Sequence, residues 1–162
     1  MKKVLLGLVL VLGTLVSNAQ VVSKHIDKYE NKINWMVTPS SLVYMQKSMN
    51  IGDTTEKWDT YYVCFYTRDS YTTFSGKDAI ILFEDNTKME ISGDVDIKYY
   101  KPGIHEYSIS NFGKELLEKM ATTKIKGYKI YVFEQSVPVS QRDLIKNAAK
   151  KLLVANQSIV KK

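Results

Sequence analysis

The sequence contains few of the residues from which small catalytic and metal-binding sites are built. Its 162 residues include one cysteine, two histidines, three prolines and eight glycines. A single cysteine excludes a disulfide scaffold, and so few prolines and glycines exclude a collagen-like or low-complexity chain. The cysteine and the histidines lack the spacing of zinc ligands, and the glycines are too scattered to form a phosphate-binding loop. We therefore expect neither a metal site nor a cofactor.

One acidic segment is similar to half of a calcium-binding loop. Asp94 and Asp96 alternate within residues 93–96. The further ligands and the closing glutamate of such a loop are missing at the required offsets. The segment therefore leaves the expectation of no metal site unchanged.

The one long hydrophobic run lies at the amino end of the chain. A basic start, residues 1–3, precedes thirteen mostly apolar residues, 4–16, and small residues follow before Gln20. This pattern predicts a secretory signal peptide over residues 1–19. A retained anchor is the alternative, but the run is shorter than the ~20 residues of a membrane-spanning helix. We expect the mature chain to be exported, periplasmic or extracellular, with no stable membrane insertion.

Charge and composition of the remaining chain argue against a nucleic-acid partner. The net charge is +6, and the two lysines of the predicted signal peptide account for +2, which leaves +4. Hydrophobic residues make up 44% and charged residues 25%, as in an ordinary globular domain. The basic residues are scattered rather than gathered in a stripe, and their densest stretch, 146–162, suits the end of a helix. We predict no nucleic-acid binding.

Residues 20–162 are predicted to form one α+β domain, mainly an antiparallel and partly closed sheet of about seven strands with two late helices. Aromatic and β-branched residues predict a central strand at 60–67, apolar on both faces and hence covered on both sides. Asp85-Asn86 predicts a hairpin turn, residues 125–134 a single strand, and residues 21–32 a short helix or irregular lead-in. The alternative is a β-sandwich with a C-terminal helix.

Two amphipathic segments predict the helices. The first is expected to be capped by Ser110 or Asn111, with its buried side chains recurring every three or four residues. The second is expected to start at a capping box, Ser140 to Asp143, and to pack on the sheet. The expected buried stripes comprise Phe112, Leu116, Leu117 and Met120 in the first helix, and Leu144, Ile145, Ala148, Ala149, Leu152 and Leu153 in the second.

The single cysteine has two possible roles. Cys64 lies among aromatic and β-branched residues in the predicted strand 60–67, where a thiol usually behaves as a small buried hydrophobe. The alternative is a nucleophile, which requires a base within reach, and His105 is the candidate. We predict the buried role and no catalytic residue.

Tyrosine is the unusual bias of the sequence, with eleven residues, all beyond the predicted signal peptide. A tyrosine presents an apolar ring with a polar tip, which suits binding surfaces for proteins and glycans. The alternative is that these rings pack on a pleated sheet with their hydroxyls at its rim. The candidate ligand-binding residues are Trp58, Tyr61, Tyr62, Tyr66, Tyr71, Tyr99 and Tyr100.

Two short segments carry a resemblance. The signal-peptide end, residues 17–20, and the strand-like segment 128–133 ahead of Ser140 resemble small exported bacterial proteins of unassigned activity. The resemblance implies an exported α+β protein and brings no catalytic residues with it. We predict a non-enzymatic, exported binding module for a protein or glycan partner. The alternatives are a structural component of the cell envelope, such as a homodimer joined at a sheet edge, and a small hydrolase.

Overall fold

The computed structural model describes residues 22–51, 60–68, 78–101 and 104–155. In these residues the chain forms ten strands and two helices. The first four strands are β1 (Ser23–Asp27), β2 (Lys32–Ser40), β3 (Val43–Asn50) and β4 (Thr60–Arg68). They are followed by β5 (Ala79–Phe83), β6 (Lys88–Ile91), β7 (Val95–Lys101), β8 (Ile104–Ile109) and α1 (Gly113–Thr122). The last elements are β9 (Ile125–Ile130), β10 (Phe133–Ser136) and α2 (Val139–Val154).

The strands form two antiparallel sheets and not a closed barrel. The larger sheet has the order β1-β2-β3-β4-β8-β7, and the smaller sheet has the order β10-β9-β5-β6. The predicted α+β class, dominated by antiparallel sheet with a late helix packed on it, is confirmed. The strands are more numerous than the seven expected, and no described helix is long and apolar enough to cross a membrane.

The core lies between the inner face of the larger sheet and a second layer formed by the smaller sheet and the helices. Strand alternation points Val63 and Phe65 of β4 inward, where both are fully buried. The Phe65 ring lies 4.6 Å from the ring of Tyr128 on β9, centroid to centroid. The Tyr128 hydroxyl donates a 2.6 Å hydrogen bond to the Tyr66 carbonyl, so a polar bond also joins the two sheets. Burial raises the pKa of Tyr128, which keeps this donor protonated.

The helices pack on the larger sheet through the predicted apolar stripes. In α1, Leu116, Leu117 and Met120 are buried, as expected from their spacing. Phe112 was predicted to belong to the same buried stripe, and this is wrong, because Phe112 lies in the turn ahead of the helix and is exposed. In α2, the predicted stripe is buried at Ile145, Ala148, Ala149 and Leu152, whereas its flanking members Leu144 and Leu153 are only partly buried. Helix α1 contacts α2 and β4, while α2 also contacts β2, β3 and β9. Both helices therefore cover the inner face of the larger sheet.

Both predicted helix caps are wrong. Phe112, not Ser110 or Asn111, precedes the first residue of α1, is 38% exposed and makes no side-chain cap. The buried carboxylate of Asp94 instead accepts hydrogen bonds from the Ser110 and Phe112 amides. Because Asp94 lies just ahead of β7 and far from α1 in the sequence, this contact leaves no local sequence pattern.

The capping box predicted for α2 does not form. Pro138 precedes the helix, which begins at Val139, so Ser140 lies inside the first turn instead of ahead of it. Asp143 instead forms an ion pair with Lys124, Nζ to Oδ2 2.9 Å.

Two strand predictions are also corrected. Residues 21–32 contain β1 and the turn to β2, in place of the expected helix or irregular lead-in. Residues 125–134 contain two strands, because the chain reverses at Tyr131, whose φ is 54°, and Val132. The β5–β6 hairpin is confirmed. Asp85 accepts hydrogen bonds from Thr87, which lower the pKa of its carboxyl to about 2.

Candidate binding groove

The outer face of the larger sheet, opposite the helices, forms a groove with a polar lining. Its volume is about 490 Å³. We call it the polar groove. It is lined by Glu30, Lys32, Asn34, Tyr44, Gln46, Ser48, Asn50, Thr60, Tyr62, Cys64, Glu106 and Ser108.

The register of four neighbouring strands brings these residues together. Asn34 of β2 lies opposite Ser48 of β3, and Tyr44 of β3 lies opposite Cys64 of β4. Cys64 in turn lies opposite Ser108 of β8. Side chains alternate between the two faces of a strand, so the residues between these positions point into the core.

A chain of side-chain hydrogen bonds runs along the floor of the polar groove. The Tyr44 hydroxyl donates to Gln46 Oε1 at 2.6 Å. Gln46 Nε2 donates to Ser48 Oγ at 2.8 Å and to Asn34 Oδ1 at 3.3 Å. The Ser48 hydroxyl donates to the same Asn34 oxygen at 2.6 Å. The four side chains are thereby held in one arrangement before any ligand arrives.

This network gives the groove a defined hydrogen-bonding polarity. Two donors occupy Asn34 Oδ1, while the amide nitrogen of Asn34 makes no hydrogen bond with any residue that the structure describes and can donate to a ligand. At the other side, the Tyr66 hydroxyl donates a 2.9 Å hydrogen bond to Glu106 Oε2. The second carboxylate oxygen, Oε1, makes no hydrogen bond with a described residue and is left to accept. Donor and acceptor positions therefore lie at different places in the groove.

Charged groups are few in the polar groove. Glu30 and Glu106 contribute two carboxylates and Lys32 one ammonium group, which gives one net negative charge. Lys32 forms an ion pair with Glu30, Nζ to Oε2 2.8 Å, and this contact raises the pKa of Lys32. Glu106 is therefore the carboxylate of the groove without a cationic partner among its lining residues.

Tyr44 is predicted to make the protein sensitive to alkaline pH. Burial, and then the proximity of Cys64 and Glu106, raise the pKa of Tyr44 to about 12. In the unfolded chain a tyrosine ionises near its ordinary value of about 10, so unfolding releases a proton above that pH. The stability contributed by the neutral hydroxyl is fully present below about pH 10 and is lost as the pH rises towards about 12.

The check is urea unfolding at pH values between about 9 and about 11. We expect Tyr44→Phe to lose stability less steeply with rising pH than the wild type. Tyr29→Phe is the matched control, because Tyr29 is fully exposed. Equal slopes for Tyr44→Phe and the wild type would contradict the assignment.

The candidate ligand-binding tyrosines separate into distinct groups. Tyr62 lines the polar groove, and Tyr66 lies on the same face, where it holds Glu106. Tyr61 faces the core with 7% of its surface exposed, and the Lys47 ammonium lies 5.2 Å from its ring centroid, so its assignment to a ligand surface is wrong. Trp58 and Tyr71 lie outside the described residues. So do the side chains of two further candidates on β7, Tyr99 and Tyr100.

The sequence reasoning missed most of the polar lining. Asn34, Gln46, Ser48 and Glu106 attracted no attention, because single amide, hydroxyl and carboxylate side chains are common on solvated strands. The available signal was the alternation of polar and apolar residues in 43–48, which places one polar row on the outer face of β3. The prediction that the strand at 60–67 is covered on both sides is also wrong. The described elements cover only the inner face of β4, and its outer face lines the groove.

The catalytic pairing of the cysteine is excluded by the sheet geometry. Cys64 lies on the outer face of β4, buried at the groove floor, and its predicted burial is confirmed. His105 lies opposite Thr67 on the inner face, so the thiol and the imidazole point to opposite sides of the sheet. The described residues contain no group of three or more metal-ligating side chains. Asp94, from the calcium-like segment, instead holds the turn before α1.

The chain has no significant match among protein-family models, curated proteins or solved structures. The functional conclusion therefore depends on the chemistry of the polar groove.

Proposed function

We propose that the chain is an exported, non-enzymatic binding module whose polar groove holds a glycan. The observation that carries the proposal is the hydrogen-bonded row from Tyr44 through Gln46 to Asn34. It presents fixed amide and hydroxyl groups in a concave site, and a ligand rich in hydroxyls can match such groups. Ordering these side chains in advance reduces the entropy that binding costs.

Aromatic side chains complete this match. Tyr44 and Tyr62 line the same groove and offer apolar ring surface beside polar groups. A sugar ring has the same mixed character, with C–H faces and hydroxyl edges, so tyrosine suits it. The centre of a protein–protein interface is by contrast depleted in charged residues and more apolar than this lining. The polar groove therefore favours a glycan over a protein partner.

Charge and geometry support the other parts of the proposal. With two carboxylates against one ammonium, the groove repels a phosphate backbone, which argues against nucleic acid. Cys64 and His105 lie on opposite faces of the sheet, so they do not form a nucleophile and base. Export is proposed from the signal-peptide pattern of residues 1–19.

Tyr62→Ala is expected to weaken glycan binding about tenfold or more. The change removes a ring face and a hydroxyl, each contributing about 1 kcal/mol, and 1.4 kcal/mol corresponds to a tenfold change in Kd. Isothermal titration calorimetry with cellohexaose, maltohexaose and chitohexaose measures the effect. Because Tyr62 is only partly buried, the melting temperature is expected to change little.

Tyr131→Ala is the matched control, since Tyr131 is 45% exposed at the β9–β10 turn, in the other sheet. Binding should survive this change. If no saccharide binds the wild type, or if Tyr62→Ala binds as tightly as the wild type, the glycan assignment is overturned. A protein partner or a structural role in the envelope would then take its place.

A further inference from the structure

We infer that Glu106 is the residue that makes the polar groove select uncharged saccharides over acidic ones. The inference rests on the proposed glycan function and names its ligand class. It starts from the position of Glu106 on the outer face of β8, beside Ser108 of the same lining and near Tyr44.

A hydrogen bond within the protein orients the Glu106 carboxylate through one of its two oxygens. Tyr66 donates its hydroxyl to Oε2 at 2.9 Å, while Oε1 makes no hydrogen bond with a described residue. An ionised carboxylate accepts hydrogen bonds and donates none, and its bonds to neutral donors are stronger than those of a neutral acceptor. A sugar hydroxyl that donates to Oε1 is therefore the natural partner, and Tyr66 is a positioning residue.

The same negative charge disfavours an acidic ligand. The cation of the groove, Lys32, is already paired with Glu30. On β7, the exposed Asp96 stands opposite Ser108 in the strand register, and Lys98 stands opposite Glu106. The described lining of the groove carries one net negative charge, and a uronate carboxylate brought beside the half-buried Glu106 meets like charge in a partly desolvated place. Repulsion of a wrong ligand is a common source of specificity.

The test compares a neutral and an acidic oligosaccharide on wild type and Glu106→Gln. Calorimetry with the neutral hexasaccharide that binds best and with hexagalacturonate gives two Kd values for each protein. We expect wild type to prefer the neutral sugar by about tenfold or more. Glu106→Gln keeps the shape of the side chain and removes its charge, so neutral binding should weaken about tenfold while hexagalacturonate binding strengthens. These opposite directions cannot come from a loss of folding.

Two further variants separate positioning from packing. Tyr66→Phe should weaken neutral binding less than Glu106→Gln, by about threefold, and the double variant should bind no more weakly than Glu106→Gln alone. Glu118→Gln is the control, because it makes the same change from carboxylate to amide on the exposed side of α1. It should leave both Kd values unchanged.

The outcomes distinguish this inference from the proposed function. If the wild type binds hexagalacturonate as tightly as neutral sugars, or if Glu106→Gln leaves neutral binding unchanged while Tyr62→Ala abolishes it, the role of Glu106 is overturned and the glycan function stands. If wild type binds no saccharide at all, both are overturned.

Discussion

Gly113→Ala adds one methyl group and is expected to lower the free energy of unfolding by about 3 kcal/mol or more. Gly113 is the first residue of α1 and is buried against β4. A Cβ atom at this position would lie 2.1 Å from the Tyr61 carbonyl oxygen and 2.8 Å from its carbonyl carbon. Cβ atoms essentially never approach other heavy atoms to less than 3.0 Å, so helix and strand would have to separate.

The direction of this effect is opposite to that expected from helix propensity. Alanine is about 1 kcal/mol more favourable than glycine inside a helix, so propensity alone predicts a more stable protein. The clash prevails because the obstacle is backbone of a central strand, which cannot rotate away as a side chain would. The turn leading into Gly113 is also fixed, since its amide donates to the Ser110 carbonyl at 3.0 Å.

Urea unfolding followed by far-UV circular dichroism measures the change. Lys114→Ala is the control, because Lys114 is the next residue of α1 and is exposed, and its effect should stay within about 0.5 kcal/mol. A neutral or stabilising Gly113→Ala would show that α1 does not rest on β4 as described.

The parts of the fold that the sequence predicts well are those in which local chemistry and the tertiary structure agree. Asn86 adopts a φ of 61°, which asparagine tolerates better than most residues, so the Asp85-Asn86 turn could be recognised. The spacing of Ile145, Ala148 and Leu152 likewise reflects a helix with one buried face.

The incorrect strand predictions concern segments whose conformation is determined by tertiary pairing and not by local chemistry. Tyr131 takes a positive φ in a turn without glycine or asparagine, so nothing in the sequence interrupts the strand pattern of 125–134. Strand β1 is an edge strand with mostly exposed side chains, so its sequence lacks the apolar alternation by which a strand is recognised. Tertiary pairing determines both elements, and a single sequence does not contain that information.

The polar groove shows the same limit more strongly. Asn34 and Ser48 are 14 residues apart and Tyr66 and Glu106 are 40 apart, yet each pair shares a hydrogen bond. Only the register of β2, β3, β4 and β8 brings them together, and a shift of one residue would turn the polar row towards the core. The tyrosine bias did single out Tyr62, which lines the groove, because aromatic enrichment is visible without register.

Asp94→Ala is expected to cost about 3 kcal/mol, because a buried carboxylate holds the turn that begins α1. Asp94 is 7% exposed. Its Oδ2 accepts the amides of Ser110 at 3.1 Å and Phe112 at 3.0 Å, and its Oδ1 accepts the Ser110 hydroxyl at 3.2 Å. Hydrogen bonds to a charged acceptor contribute about 1.5–3 kcal/mol each, and the helix N-terminus adds a favourable field for the carboxylate. The alanine variant leaves these donors without their partner.

Graded variants test this assignment of Asp94. Asp94→Asn keeps the size and one acceptor oxygen, so urea unfolding should show about half of the loss seen for Asp94→Ala. Asp96→Ala, two residues later and exposed on β7, should change stability by no more than about 0.5 kcal/mol. If Asp94→Ala costs no more than that control, the turn is held by other contacts.

Asp94 and Gly113 both fix the start of α1, so combining Asp94→Ala with Gly113→Ala should cost less than the two separate losses added together. Once the turn is released, the helix can move away from the Tyr61 carbonyl and the clash is relieved.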